Sequence, residues 1–142
     1  MYQITQLITD LSRSRGQYLT NRVLPYGLKS CHAMDLSLIC WQSGISQDSL
    51  ARQRQTDKSS IARQVAFLEE EGYITRCACQ EDKRIMRLYP TEKAIALLPE
   101  LTRILTHWED RLTQDLTEEE RALLLCMLQK MEQHTCQWKE EM

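Results

Sequence analysis

The sequence predicts a mainly α fold carrying a two-stranded β-hairpin, and three observations predict it. Leu, Ala, Glu, Gln and Arg dominate the 142 residues, against only four Gly and three Pro, a composition that favours helices. Apolar residues recur at three-and-four spacing over several long stretches, the repeat of a helix with one buried face. One region breaks that rhythm. "YITRCAC" and "IMRLY", rich in β-branched and aromatic residues, flank the charged tip "QEDKR" and read as a hairpin. The length suits one domain with a real core.

Taken in order, residues 2 to about 23 place Ile4, Leu7, Ile8, Leu11, Tyr18 and Leu19 on one stripe of a first helix. Pro25 and Gly27 in "LPYGL" end it. A second helix from about Lys29 to Trp41 reads as buried, with Met34, Leu38 and Trp41 along one side and Gly44 beyond its end. Ser46 suits the N-cap of a short third helix ending near Gln55, because its hydroxyl can accept from an unpaired N–H in the first turn. Asp48 then lies near the positive end of that helix dipole.

Asp57 can cap a fourth helix, "KSSIARQVAFLEEEG", which Gly72 stops. At about 100° per residue, Ile61, Val65 and Leu68 share a narrow sector, while Ser59, Arg63 and Ala66 lie opposite, flanked by Ser60 and Ala62. The outer surface near the N-terminus is therefore small, polar and basic. Such a surface suits a DNA major groove: short side chains admit the backbone, serine bonds phosphates or bases, and arginine reads guanine or clamps phosphate.

After the hairpin, Pro90 and Thr91 stop the second strand, and Thr91 caps a long helix to about Asp115. Leu97, Leu101, Ile104, Leu105, Trp108 and Leu112 form its inner side, and Pro99 is expected to bend it. "TEEE" fits the Thr-x-x-Glu capping box and opens a last helix carrying Leu124, Leu128, Met131 and Trp138.

The net charge of −2 does not by itself suggest a nucleic-acid binder, but the charge is unevenly spread. Residues 94–142 hold five basic side chains against ten acidic ones, whereas residues 46–93 hold nine against eight, so the middle is free to present a local basic face. The six cysteines include no CxxC pair and follow no secretory signal, and no stretch approaches the roughly 20 apolar residues of a membrane span. Reduced thiols and a cytoplasmic protein are expected. His32, His107 and His134 are scattered, and zinc needs four gathered ligands, so no metal or cofactor is expected. Cys31 and His32, being adjacent on a helix, point about 100° apart and do not make a nucleophile–base dyad, so an enzyme is not expected.

The stretches "LPYGL", "SLARQRQTDKSSIARQVAFLEEEGYITR", "EDKR", "PTEKA" and "LTEEER", in this order and spacing, resemble the MarR (multiple antibiotic resistance regulator) family of winged helix-turn-helix transcription factors. They span nearly the whole chain. The resemblance implies a single domain over 1–142, with a winged helix-turn-helix DNA-binding lobe at 28–90 and a helical dimerisation region from 1–24 and 91–142. It further implies a homodimer whose lobes grip successive major grooves of double-stranded DNA at a pseudo-palindromic operator, with repression relieved by a ligand or an oxidant.

Residue by residue, it gives Ser59, Ser60, Ala62 and Arg63 as groove readers and Lys58 as a flanking backbone contact. Lys83 and Arg84 belong to the wing, Arg84 entering the minor groove and Asp82 orienting it. An arginine is drawn to the negative potential of a narrow minor groove, and a neighbouring carboxylate limits the rotamers to be frozen. The resemblance also places a pocket for a small aromatic effector near Tyr18, Tyr26, His32, Trp41, His107 and Trp108. Cys77 and Cys79, two apart on a strand and so on one face, are the redox candidates. Thiol-based redox sensing is thus one alternative to ligand control, and a helical protein-binding adaptor without DNA affinity is another.

Some positions depart from the family pattern. Arg54, Gln55 and Thr56 stand where it usually has Leu, Gly and an apolar residue, Gln64 replaces a Leu, Phe67 a basic residue, Pro90 a Leu and Ala94 a Gly.

Overall fold

The structure, a computed structural model, describes residues 2–141. Its elements run α1 (Gln3–Val23), a 3-10 turn (Leu24–Tyr26), α2 (Ser30–Trp41), β1 (Ile45–Ser46), α3 (Gln47–Gln53), α4 (Lys58–Glu70), β2 (Ile74–Ala78), β3 (Met86–Pro90), α5 (Glu92–Leu112) and α6 (Glu118–Glu141). The chain divides into two compact units, Met1–Thr106 and His107–Met142. Among the described residues no helix is long and apolar enough to cross a membrane.

In the first unit the core gathers Leu19 and Val23 of α1, Leu36 and Ile39 of α2, Leu50 of α3, and Ile61, Val65 and Leu68 of α4. Ile74 and Leu88 of the sheet and Leu101 and Ile104 of α5 join them. Burying a side chain of this size contributes about 1.5–3 kcal/mol, so twelve of them from seven elements hold the unit together. Caps fix where the helices begin. Ser46 Oγ accepts from Ser49 N at 3.0 Å and Asp57 Oδ2 from Ser60 N at 2.9 Å. Gly72, at φ +79°, turns the chain out of α4 in the left-handed region that a side chain would strain.

Two expectations need correction. The sheet has three strands, in the order β1-β3-β2, all antiparallel, because Ile45 and Ser46 pair with Leu88 and Arg87. Two residues are too few to show an alternating pattern, and Ser46 is already committed as a helix cap. The inner side of α2 is Ala33, Leu36 and Ile39; Trp41 is 59% exposed, and Met34 and Leu38 are only partly covered. β3 runs one residue past Tyr89 and ends on Pro90, which pairs with Ile74 at a position where the ring still fits a strand end.

α5 runs unbroken through Pro99 and ends at Leu112, three residues earlier than expected. In the second unit, Thr117 N donates to Glu120 Oε1 at 3.0 Å and Glu120 N donates to Thr117 Oγ1 at 3.1 Å, the reciprocal box that opens α6. Leu124, Leu128, Met131 and Trp138 are exposed in this chain.

Candidate nucleic-acid interface

The N-terminal turn of α4 carries a hydrogen-bond chain that starts at its cap. Asp57 Oδ1 accepts from Ser60 Oγ at 2.7 Å, and Ser60 Oγ accepts from Arg63 Nη2 at 3.1 Å. The Ser60 hydroxyl, followed by its backbone N–H, holds the Asp57 carboxyl below the usual carboxylate range. Ser59 and Arg63 are exposed, Ser60 and Ala62 partly so, and exposed Lys58 lies 3.9 Å from Asp48. Lys58 and the four groove-reading candidates therefore share the open side of the first two turns of α4, since Ile61, Val65 and Leu68 commit the other side to the core.

At the wing tip, Asp82 grips Arg84 three times. Oδ1 accepts from Arg84 N at 3.1 Å and from Nε at 3.0 Å, while Oδ2 accepts from Nη2 at 3.1 Å. Arg84's side chain is nonetheless 90% exposed, and Lys83 beside it is exposed too. The tip itself is closed by Ile85 N donating to Asp82 O and Cys79 N donating to Ile85 O, at 3.0 and 2.8 Å.

The wing is fastened to the helix-turn-helix at its root. Gly44 N donates to Leu88 O at 2.8 Å, and Arg87 Nη1 donates to Gly44 O at 3.0 Å. On the other strand, Arg76 Nη2 donates to Glu69 Oε1 at 2.9 Å, tying β2 to the end of α4. A cleft of about 270 Å³ between the wing root and the start of α3 is lined by Ser46, Gln47, Asp48 and residues 84–87.

The turn between α3 and α4 holds an arrangement that residue spacing does not predict. Asp35 on α2 is completely buried and its Oδ1 accepts from Arg54 Nε at 2.7 Å. Burial pushes its carboxyl above the usual range, while the hydrogen bond and charge of Arg54 oppose that rise. The next residue, Gln55, adopts φ +51°, the left-handed conformation that glycine usually supplies. Arg54 and Asp35 are 19 residues apart, and only the departure of "RQT" from the family pattern marks the turn as unusual.

The thiol and aromatic candidates fall differently. Cys31, Cys40, Cys77, Cys79, Cys126 and Cys136 are all free thiols. Cys77 is exposed opposite Arg87 on β3, whereas Cys79 lies just beyond the end of β2. The Cys79 thiol is pulled below its usual range, first by the backbone N–H of Asp82 and then by the Arg87 side chain and the Glu81 N–H. Burial raises the Cys31 and Cys40 thiols instead.

His32 is 7% exposed and already engaged: its Nδ1 accepts from Lys29 N at 3.1 Å and its ring stacks on Phe67 at 4.2 Å. Trp41, nine residues on along α2, falls about half a turn of rotation away, on the opposite face. The structure thus does not bring His32 and Trp41 around one cavity. Tyr18 lies under the Arg22 guanidinium at 5.0 Å, and the Tyr26 carbonyl accepts from Tyr73 Oη at 2.9 Å. In the second unit, His107 is exposed and Trp108 half-buried on the last turns of α5.

Comparison with known proteins gives a consistent answer. Residues 36–86 match the MarR family. The chain is 30% identical over 122 residues to the uncharacterized HTH-type transcriptional regulator YybA of Bacillus subtilis (strain 168), covering 86% of this chain and 71% of that protein. It superposes on the crystal structure of MarR with a TM-score of 0.84 at 29% identity, over 97% of this chain and 94% of the other. A MarR family regulator from Listeria monocytogenes, solved in complex with 26mer DNA, shares the fold at a TM-score of 0.88 and 24% identity, over 92% and 87% of the two chains.

Proposed function

The chain belongs to the MarR family of transcriptional regulators, and from that membership and the surface just described we propose that it is a repressor that binds double-stranded DNA sequence-specifically, as a homodimer on a pseudo-palindromic operator. The observation that carries the reading is Arg84, held in one geometry by three hydrogen bonds to Asp82 while 90% exposed. An exposed ion pair contributes little to folding and costs side-chain entropy. A guanidinium already oriented for a narrow minor groove recovers that cost on binding.

In this reading Lys58, Ser59, Ser60, Ala62 and Arg63 meet the major groove or its phosphates, and Lys83 and Arg84 act from the wing. Residues 28–90 form the DNA-binding lobe, and residues 1–24 and 91–142 serve dimerisation. Support for the latter comes from apolar side chains left exposed on α1 (Ile4, Leu7, Ile8 and Leu11) and on α6 (Leu123, Leu124, Met127 and Leu128). A regulator of this kind needs no catalytic residue, and none is proposed. A small aromatic effector that modulates DNA affinity completes the reading. His32, buried and engaged by Lys29 N and the Phe67 ring, is not open to one.

Fluorescence anisotropy with duplexes from the DNA flanking its own gene tests the proposal. Arg63→Ala and Arg84→Ala should each weaken binding, and taking one cation away from a phosphate should lower the salt slope by about one. Full affinity in both variants would refute the assigned roles. Failure to bind any duplex at low salt, with the dimer intact, would favour a protein-binding adaptor.

A second reading, thiol control of the same wing, is favoured by the place of Cys79, whose backbone N–H closes the tip on Ile85 O and whose thiol is drawn below its usual range by the N–H of Asp82, the residue that orients Arg84. Oxidation there would disturb the tip directly. Peroxide treatment that oxidises Cys79 but leaves DNA affinity unchanged would rule it out.

A further inference from the structure

The hydrogen-bond chain at the start of α4 has only one consistent proton assignment. An ionised carboxylate accepts and cannot donate, and a guanidinium donates and cannot accept. Asp57 Oδ1 and Ser60 Oγ lie 2.7 Å apart, so the Ser60 proton is donated to Asp57. Arg63 Nη2 lies 3.1 Å from the same Ser60 oxygen and takes one of its two lone pairs. One lone pair remains, on a side chain that is still partly exposed at the turn. Ser60 thereby lacks the usual ambiguity of serine, which donates or accepts as needed.

We propose that Ser60 is a specificity-determining residue that presents only an acceptor to the DNA and therefore selects a base with an exocyclic amino group, adenine or cytosine, at the position it faces. The inference rests on the DNA-binding reading above and adds to it the polarity of one contact. In the major groove adenine N6 and cytosine N4 donate, whereas guanine N7 and O6 and thymine O4 accept. A lone pair facing any of the latter, or a phosphate oxygen, is repelled. Asp57, though it touches no base in this scheme, sets the polarity as a positioning residue.

The roles of Ser60 and Asp57 separate by substitution. Ser60→Ala removes the acceptor. Asp57→Asn keeps a good N-cap, since asparagine caps as well as aspartate. Its amide oxygen can still accept from Ser60 N, and its NH₂ then donates to Ser60 Oγ. With both lone pairs taken, the hydroxyl proton is released and Ser60 becomes a donor. The preference should then move from adenine or cytosine toward guanine or thymine.

The test is selection of duplexes from a randomised library by the full-length wild type, Ser60→Ala and Asp57→Asn, followed by binding to the best wild-type duplex carrying base analogues. The wild type should show a position enriched in adenine or cytosine that is flat in Ser60→Ala and shifted to guanine or thymine in Asp57→Asn. Replacing the preferred adenine by purine, which lacks N6, or the preferred cytosine by 2-pyrimidinone, which lacks N4, should weaken wild-type binding about tenfold and leave Ser60→Ala unaffected. The two analogues tell which base supplies the donor.

Enrichment of no duplex by the wild type overturns the DNA-binding reading and this inference with it. Wild-type enrichment with an identical profile in Ser60→Ala, or an Asp57→Asn profile that does not shift, overturns the inference alone.

Discussion

Replacing Arg54 by leucine, the residue the family usually has there, should destabilise this protein, because Asp35 would be left buried without its cation. At the observed 2.7 Å the attraction of two unit charges is roughly 6 kcal/mol for an effective dielectric of about 20. Arg54 keeps 21% of its side chain in water, which screens the pair. The expected loss is therefore about 3 kcal/mol, the lower end of the ~3–5 kcal/mol typical when one partner of a buried pair is removed. Removing both charges with Asp35→Ala/Arg54→Leu should return stability to within about 1 kcal/mol of wild type.

The dependence on pH gives a second handle. The folded pKa of Asp35 lies above the ordinary 3.8, so its ionisation costs stability. That cost is full above the folded pKa and is relieved as the pH falls through it. Without Arg54 the folded pKa rises further, so the gap between Arg54→Leu and wild type should be widest at neutral pH and narrow on acidification. Urea unfolding at fixed protomer concentration measures it, with the midpoint falling by about 1.5 M for a slope near 2 kcal/mol/M. A loss under about 1 kcal/mol at neutral pH, or one that does not shrink in acid, would refute the reasoning.

Further tests address the wing and the turn. Asp82→Ala should weaken DNA binding several-fold with the salt slope unchanged, because it frees Arg84 without removing its charge, whereas Arg84→Ala should lower both; an Asp82→Ala variant with full affinity would show that the brace is idle. The Asp82 carboxyl lies below its ordinary 3.8, so the brace is fully present above that pH and is lost as pH falls through the folded value; the loss of affinity in Asp82→Ala should therefore be the same at pH 6 as at pH 7. Iodoacetamide at neutral pH should modify Cys79 before Cys31 and Cys40, read by peptide mapping; equal rates would contradict the shifts in their thiols. Gln55→Gly should relieve the left-handed strain at φ +51° and stabilise by about 1 kcal/mol, seen as a rise in melting temperature of a few degrees. No rise would mean that the Gln55 side chain returns as much as its backbone costs.

Local features were legible in the sequence because their causes are local. Ile61, Val65 and Leu68 repeat with α4, and each cap lies within three residues of its partner, Asp57 opening α4 and the Thr117–Glu120 pair opening α6. The Asp82–Arg84 pair was legible only through the resemblance of "EDKR" to the family's wing, and the structure forms it across two residues. Non-local features were hidden. Nothing in "RQRQT" names Asp35 as the partner of Arg54, and Trp41 reads as core by type although α2 turns it outward. Asp57, Ser60 and Arg63 were spaced to meet along one helix face, but the direction in which the serine proton points follows only from seeing both neighbours at once.

The short pairing of Ile45–Ser46 with β3 bears on how this chain tolerates change in length. Within three residues Gly44 is clasped by Leu88 and Arg87, Ile45 is in register with Leu88, and Ser46 caps α3. One residue inserted there would slip the strand by one place and carry the start of α3 away from the wing root. The segment 79–85 has no such double duty, because the ladder from Ile74–Pro90 to Ala78–Met86 is set before the chain reaches it. Related sequences should therefore vary freely in the length of the wing tip and hardly at all between Gly44 and Gln47, so that the reach of the wing drifts over evolutionary time while its anchorage does not.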